Sequence, residues 1–335
     1  MLTKIQSDLD TISGFDPEMW NLLRNKKIFA TGCTGFIGTW IIYSFVHFNQ
    51  KFNLNAELIC LTRNKNKNEE KFQGVKFVEG DIESFPFPSG EFDFIIHGAT
   101  EVASYQQGSD QSSLLDISYL GTKRVQSFAK HAKAQKILFL SSGAAYGTQP
   151  LNLQLLEESF DGAPDVTQSK STYGEAKRLG ELLLFNDLIP STSARIFATC
   201  GPFLPNESKF AFSNFLNSVV SESKIIIQSN GKTTRSYLYI GDVTLWLWLL
   251  LLKGKDKEIY NVGSDDEISI SELAKKIKTT LNSDVEIEVQ GKEPGFNRYI
   301  PSNKKIRQEF KITNMVPLDV GIKKSYEFLK VNDAI

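Results

Sequence analysis

Short apolar runs recur along the first 140 residues, each followed by a polar turn. The runs at 27–30, 57–62, 75–78, 92–97 and 136–140 are rich in Ile, Leu, Phe and Val and too short for helices, which predicts five strands. Apolar residues at helical spacing over 40–46 and 114–132 predict helices between them. Strands that are apolar throughout, separated by helices, indicate a doubly wound parallel sheet covered on both faces. Beyond the Gly201-Pro202-Phe203-Leu204-Pro205 break the alternation loosens into short strands and helices such as 271–281. That part is expected to form a smaller, mixed α/β C-terminal lobe that closes over the sheet edge. Ahead of the first strand, Leu2, Ile5, Leu9 and Ile12 have helical spacing, and Asp16-Pro17-Glu18 resembles a helix start. Residues 1–25 therefore read as an N-terminal extension packed across the domain edge.

The 335 residues are enough for one large or two unequal domains. A hydrophobic content of 41% and a charged content of 23% are ordinary for a globular chain. The formal net charge of −1 argues against a general nucleic-acid or membrane-surface binder. The longest apolar run, 245–252, is eight residues and reads as a buried helix, well short of the roughly 20 residues of a membrane span. The first residues lack a charged-then-apolar secretory pattern. Cys33, Cys60 and Cys200 show neither pairing nor metal-ligand spacing, so a reducing cytoplasm and no metal are expected.

The first strand runs directly into Gly32-x-x-Gly35-x-x-Gly38 and a helix. Glycines allow a tight turn and close approach of the backbone to a diphosphate, and a helix N-terminus offers free N–H groups and a positive dipole end. Ligands of doubly wound sheets lie beyond the carboxyl ends of the strands, where Gly32, Thr62-Arg63, Asp81, His97 and Ser141-Ser142 all fall. Tyr173 and Lys177 stand four apart, on one face of a predicted helix. An ammonium beside a phenol favours the phenolate and brings a poor base toward working range. A hydroxyl at Ser141-Ser142 can share its proton with that phenol. Taken singly, each feature also fits a plain role: a packed turn, a serine-rich turn, a surface tyrosine beside a solvated lysine.

The ordered set is more specific. Thr31-Gly32-x-x-Gly35-Phe36-x-Gly38, Asp81, His97-Gly98-Ala99, Ser141-Ser142-x-x-x-Tyr146-Gly147, Tyr173-x-x-x-Lys177 and Arg195-Ile196-Phe197 follow one another, then Arg235-Ser236-Tyr237 through Asp242-Val243. From about residue 26 to 330 the chain resembles the extended short-chain dehydrogenase/reductase family, in its nucleotide-sugar epimerase/dehydratase branch. The resemblance implies a Rossmann-type NAD(P)-binding domain over 26–200 and a substrate-binding lobe over 201–335, with some segments crossing between them. It implies that Gly32, Gly35, Phe36, Ile37 and Gly38 cradle the dinucleotide diphosphate and that Asp81 and Ile82 meet the adenine. His97, Gly98 and Ala99 would line the cofactor path. Ser142 would be the catalytic hydroxyl, Tyr173 the acid/base, and Lys177 the holder of the nicotinamide ribose. Arg235 and Arg298 match arginines that grip a sugar-nucleotide diphosphate.

The implied chemistry is transient oxidation of a sugar hydroxyl to a ketone, in an NAD(P)-dependent isomerase or oxidoreductase. Relatives form homodimers through two helices each, for which 113–131 and 173–187 are the matching segments. Surface-polysaccharide biosynthesis is the pathway the family suggests. Dehydratases of the branch carry Thr-Asp-Glu where Ser142-Gly143-Ala144 stands, and decarboxylases keep a Glu at the position of Ala144. Epimerases often carry Asn where Ala198 stands. An epimerase or 4-ketoreductase is therefore expected, with a 4,6-dehydratase or decarboxylase as the alternative if Glu101 supplies an acid. A non-catalytic dinucleotide sensor is the alternative from another class. After the second strand, Arg63 stands where NAD users carry an acidic residue, which favours NADP while leaving NAD open.

Overall fold

Helix α1 (Gln6–Gly14) and a 3-10 turn (Pro17–Leu23) lead into β1 (Lys27–Thr31), α2 (Phe36–Lys51), β2 (Glu57–Thr62), α3 (Lys65–Lys71), β3 (Lys76–Glu79) and β4 (Phe94–His97). Then come α4 (Gln111–His131), β5 (Lys136–Ser142), α5 (Thr172–Phe185), β6 (Ser191–Ile196), β7 (Thr199–Cys200), α6 (Ala211–Val220), β8 (Ile225–Ile227), β9 (Thr234–Arg235) and β10 (Leu238–Tyr239). The chain continues with α7 (Ile240–Lys253), β11 (Glu258–Val262), β12 (Ile268–Ser269), α8 (Ile270–Thr280), β13 (Ile287–Val289), β14 (Arg298–Tyr299), α9 (Lys304–Phe310) and α10 (Leu318–Asn332). The computed structural model describes residues 4–99, 111–205, 210–291 and 296–332.

Seven strands form one parallel sheet in the order β11-β6-β5-β4-β1-β2-β3. The order reverses between β1 and β4, which is the crevice where doubly wound sheets bind ligands. The α/β class and the parallel pairing agree with the sequence pattern. One strand does not belong where the pattern placed it. Strand β11 comes from the C-terminal stretch, yet Tyr260 pairs with Ala194 and Val262 with Ile196, extending the sheet beside β6.

One face of the sheet is covered by α1, α2 and α7. The apolar run at 245–252 lies in α7, whose residues from Leu245 to Leu251 are all buried, as expected of a helix surrounded by protein. Trp20, Trp40, Trp246 and Trp248 are all fully buried, and Trp248 Nε1 donates to Ser44 Oγ at 2.8 Å. On the other face, Phe29 packs against Phe85 and Phe128, under α4 and α5.

The N-terminal extension is tied to the C-terminal half of the chain. Tyr239 Oη donates to Asp8 Oδ2 at 2.9 Å, and Lys324 Nζ donates to Asp8 Oδ1 at 2.7 Å. A buried carboxylate held by two donors orients α1 against α10, which apolar contact alone would not. Three small sheets, β10-β7, β12-β9-β14 and β13-β8, build the region beyond β6.

Candidate active site

The turn after β1 uses its three glycines in different ways. Gly32 has φ +75°, and a Cβ there would lie 2.6 Å from the Gly98 carbonyl carbon, so the turns after β1 and β4 touch through bare backbone. A Cβ on Gly38 would lie 2.3 Å from Cys33 Cα. Gly35 is different. It is the exposed residue that begins α2, and a Cβ there would meet nothing closer than the Gly32 carbonyl oxygen at 3.6 Å. No side chain caps the helix, so the N–H groups at Phe36, Ile37 and Gly38 stand at an uncapped positive end. The protein interior requires Gly32 and Gly38, and it leaves an open space at Gly35. That space and those donors fit a dinucleotide diphosphate. Behind the turn, the Cys33 thiol lies beside that of Cys60, and burial raises Cys60 well above the ordinary thiol range.

Thr31 Oγ1 accepts from the backbone N–H groups of Gly98 and Ala99, each at 3.2 Å, and lies 2.9 Å from His97 Nδ1. With both lone pairs engaged, the threonine proton goes to Nδ1. His97 then carries its own proton on Nε2, 3.1 Å from Thr122 Oγ1 on α4. Burial, with the Lys177 charge nearby, lowers the imidazole to about 3. His97 is a neutral brace joining β1, β4 and α4.

At the ends of β2 and β3, Arg63 and Asp81 are exposed. The Asp81 carbonyl oxygen accepts from the N–H groups of Ser84 and Phe85, and a Cβ on Gly121 would lie 2.8 Å from Ile82 Cγ1. Bare backbone on α4 thus seats Ile82 near the cleft. Gly98 and Ala99 are half-buried. Glu101 lies outside the described residues.

Strand β5 separates the two serines that the sequence left paired. Alternate side chains of a strand face opposite ways. Ser141 Oγ donates to Glu181 Oε1 at 2.7 Å, while the Ser142 hydroxyl stands on the other side, beside the Tyr173 phenol. Ser142 Oγ also accepts from Ala144 N–H at 3.1 Å. Lys177 follows Tyr173 by one helical turn, is buried, and donates from Nζ to the Leu140 carbonyl oxygen at 2.8 Å. Burial lowers the Lys177 ammonium to about 8, and Glu181 opposes the fall. Burial raises the Tyr173 phenol, and the Ser142 hydroxyl beside it offsets only part of the rise.

Arg235 and Arg298 lie on paired strands but point to different partners. Arg235 is half-buried, with Nη1 donating to the Thr234 carbonyl oxygen at 2.7 Å. Arg298 pairs with Glu267, Nε to Oε1 at 3.0 Å, and reaches the carbonyl oxygens of Leu151 and Leu153. This second guanidinium is engaged by a carboxylate that the sequence pattern did not reveal.

Two site residues escaped sequence reasoning. Glu181 accepts from Ser141, from Ser193 and from the Arg195 guanidinium, whose Nη2 lies 2.6 Å from Oε2. Its place four residues after Lys177 on the same helix face was the available signal. Tyr299 stands beside Ser142, its Oη 2.6 Å from where a Cβ on Gly143 would lie. It comes from a two-residue strand, too short for any periodic signal.

The arrangement places a phenol, a hydroxyl and an ammonium together at the sheet edge that also carries the glycine turn. Among the described residues no group of three or more His, Cys, Asp or Glu side chains is placed to hold a metal ion, and no helix is long and apolar enough to cross a membrane.

The family model described as the NAD dependent epimerase/dehydratase family matches residues 28–263. Among curated proteins, the chain is 28% identical over 292 residues to UDP-glucuronic acid decarboxylase 6 of Arabidopsis thaliana, covering 83% of each. It is 26% identical over 328 residues to the human dTDP-D-glucose 4,6-dehydratase, covering 92% of this chain and 91% of that one. Among solved structures, the UDP-glucuronic acid 4-epimerase of Bacillus cereus, in complex with UDP-glucuronic acid and NAD, superposes with a TM-score of 0.76 at 20% identity. That match covers 91% of this chain and 99% of the epimerase.

Proposed function

Because this chain belongs to the NAD dependent epimerase/dehydratase family, we propose that it acts on a nucleotide-diphosphate sugar through a keto-sugar, as an epimerase or a 4-ketoreductase. The observation that carries this reading is the Tyr173 phenol beside the Ser142 hydroxyl at the carboxyl end of β5, with Lys177 one turn behind it. A nicotinamide dinucleotide, when bound, supplies reversible hydride acceptance. Gly32, Gly35 and the first turn of α2 would hold its diphosphate, Asp81 and Ile82 its adenine end, and Lys177 its ribose. Arg63 supports NADP, since its cation would meet a ribose phosphate where a carboxylate would repel one. The family description and the B. cereus complex support NAD.

Within this reading, Ser142 orients the sugar hydroxyl and Tyr173 removes its proton as hydride leaves the carbon. Lys177, at about 8, remains cationic at neutral pH and stabilises the phenolate. Returning hydride and proton to the opposite face inverts the carbon. Running only the return half reduces a keto-sugar. Arg235 grips the substrate diphosphate, and Arg298 joins it at the expense of its Glu267 pairing. Residues 26–200 with β11 form the cofactor side, and the rest of 201–335 forms the substrate side.

A second reading, dehydratase or decarboxylase, is favoured by the names of the two curated relatives. Both reactions use an acid beside Ser142, where this chain has Gly143 and Ala144. A Cβ on Gly143 would fall 2.5 Å from the Phe197 ring and 2.6 Å from Tyr299 Oη, so a carboxylate there has no room.

The chain is also proposed to pair with a second copy through α4 and α5. Leu115, Tyr119 and Leu120 on α4 and Leu182 on α5 expose large apolar side chains along the segments that relatives use. A monomeric mass in micromolar solution would refute the pairing.

The test is Tyr173→Phe, assayed with UDP-glucose, UDP-glucuronic acid and dTDP-glucose and read by NMR of the products. Turnover lost while the cofactor stays bound supports the proposal, and unchanged turnover sinks it. Products of the unaltered protein that have lost water or carbon dioxide would select the second reading.

A further inference from the structure

We propose that Glu181 is a positioning residue of the reacting groups, fixing the face of α5 that carries Tyr173 and Lys177 against the strand end that carries Ser142. The proposal rests on the function proposed above and adds a residue to it.

Three observations carry it. Tyr173, Lys177 and Glu181 follow one another at steps of four on α5 and share one face of the helix. Lys177 Nζ donates to the Leu140 carbonyl oxygen at 2.8 Å, and Glu181 Oε1 accepts from Ser141 Oγ at 2.7 Å. The helix therefore holds β5 at two consecutive residues, and the next residue is Ser142.

Second, the Glu181 carboxylate is bonded through both oxygens. Oε1 also accepts from Ser193 Oγ and from Arg195 Nε, each at 2.9 Å, and Oε2 accepts from Arg195 Nη2 at 2.6 Å. The guanidinium fork sets the plane of the carboxylate. Ser141 and Arg195 are themselves register partners in the β5–β6 pair, so one carboxylate ties α5 to two neighbouring strands. An apolar side chain at 181 would seat α5 on the sheet and leave its rotation, and its rise along β5, to shape alone. Directed bonds fix both. A buried ion pair contributes little stability over apolar packing of similar volume. What it adds here is direction, which a phenol that must meet one hydroxyl requires.

Third, Arg195 extends the hold to the far side of Ser142. Its guanidinium carbon lies 4.1 Å from the ring centroid of Tyr146, four residues after Ser142. Tyr146 Oη donates to Asn261 Oδ1 at 2.9 Å, and Asn261 Nδ2 donates to the Leu156 carbonyl oxygen at 2.8 Å. Ser142 thus lies between two anchored residues, Ser141 bonded to Glu181 and Tyr146 beneath the guanidinium that Glu181 holds. Ser141, Tyr146, Glu181, Arg195 and Asn261 are all buried, so water does not compete for these bonds.

Two serines give a matched test. Ser141→Ala and Ser193→Ala each remove one buried hydroxyl from the same oxygen of Glu181, so a merely structural role predicts equal effects. Only Ser141 adjoins Ser142, whereas Ser193 lies inside β6 between Thr192 and Ala194. The readout is the ring ζ-carbon resonance of Tyr173 in protein labelled with carbon-13 tyrosine, with no substrate added, assigned by its loss in Tyr173→Phe. Ser141→Ala is expected to displace or split that resonance, and Ser193→Ala to leave it in place. Turnover is expected to follow, with kcat lower by about tenfold at unchanged KM in Ser141→Ala and within about twofold in Ser193→Ala. Glu181→Leu with Arg195→Met keeps apolar packing, removes the directed bonds, and is expected to move the resonance as Ser141→Ala does. Equal displacement in the two serine variants, no displacement in either, or an unmoved resonance in the double variant overturns the proposal. The resonance is read without turnover, so it decides this proposal whether or not Tyr173→Phe abolishes the reaction.

Discussion

The Thr31 hydroxyl lies 2.9 Å from His97 Nδ1, a buried polar link between β1 and β4 directly beneath the glycine turn. Its pH consequence has a definite sign. The ring's folded pKa, about 3, is below the ordinary 6.5, so the stability it contributes is complete above 6.5 and is lost as pH falls toward 3. The loss is about 1.4 kcal/mol per unit, or about 2 kcal/mol at pH 5. Asp242, raised by burial to about 6, works in the other sense, its contribution fading as pH rises through that value. It is shared by wild type and His97→Gln, and cancels in the comparison. The urea-unfolding gap between those two proteins at pH 7 should shrink by about 2 kcal/mol at pH 5. Equal gaps at both pH values would show that His97 is not held neutral.

The glycines separate folding from binding. Gly38→Ala forces a methyl onto the Cys33 backbone at 2.3 Å and should cost about 1–3 kcal/mol of stability. Gly35→Ala meets no such contact and should unfold within about 0.5 kcal/mol of wild type. Its methyl would nonetheless occupy the cradle, and NAD affinity should fall at least about tenfold, or 1.4 kcal/mol. Calorimetric melting and fluorescence titration with NAD measure the two effects. Unaltered affinity in Gly35→Ala would remove the diphosphate from this turn.

Glu181 and Arg195 form a pair with each side chain only 6% exposed. Glu181→Gln leaves the guanidinium charge buried without its counter-charge and should cost about 3–5 kcal/mol. Glu181→Leu combined with Arg195→Met removes both charges and should cost less than the single change. Urea denaturation decides it, and a double variant weaker than the single would count against the pairing as the cause.

Arg63 is exposed beyond the end of β2. Arg63→Ser should weaken NADPH binding by about 1.5–3 kcal/mol, the worth of a charge-assisted hydrogen bond, and leave NADH binding unchanged. Equal effects on the two cofactors would assign Arg63 to general electrostatics.

The glycine turn, the Tyr173–Lys177 helix and the Ser142 strand end were legible because each is local. Their signals rest on residues within one helical turn or on one strand. The buried run at 245–252 was legible for the same reason, since an unbroken apolar helix has no place but the interior. The Glu181–Arg195 pair, the Glu267–Arg298 pair and the Asp8 anchor join residues 14, 31 and more than 200 positions apart. Nothing in either partner's neighbourhood announces the other.

The sequence by itself determined the class of sheet, the order of its first five strands along the chain, and which side chains stand at their carboxyl ends. Strand period and glycine geometry are short-range properties, and the chain carries them wherever it folds. Tertiary structure alone decided that β11 completes the sheet, that Ser141 turns to Glu181 while Ser142 turns to Tyr173, and that Tyr299 fills the space beside Gly143. It also decided that burial raises the Tyr173 phenol. Desolvation and cross-chain contact depend on what surrounds a group in space, and two-residue strands such as β14 carry no period from which that surrounding could be read.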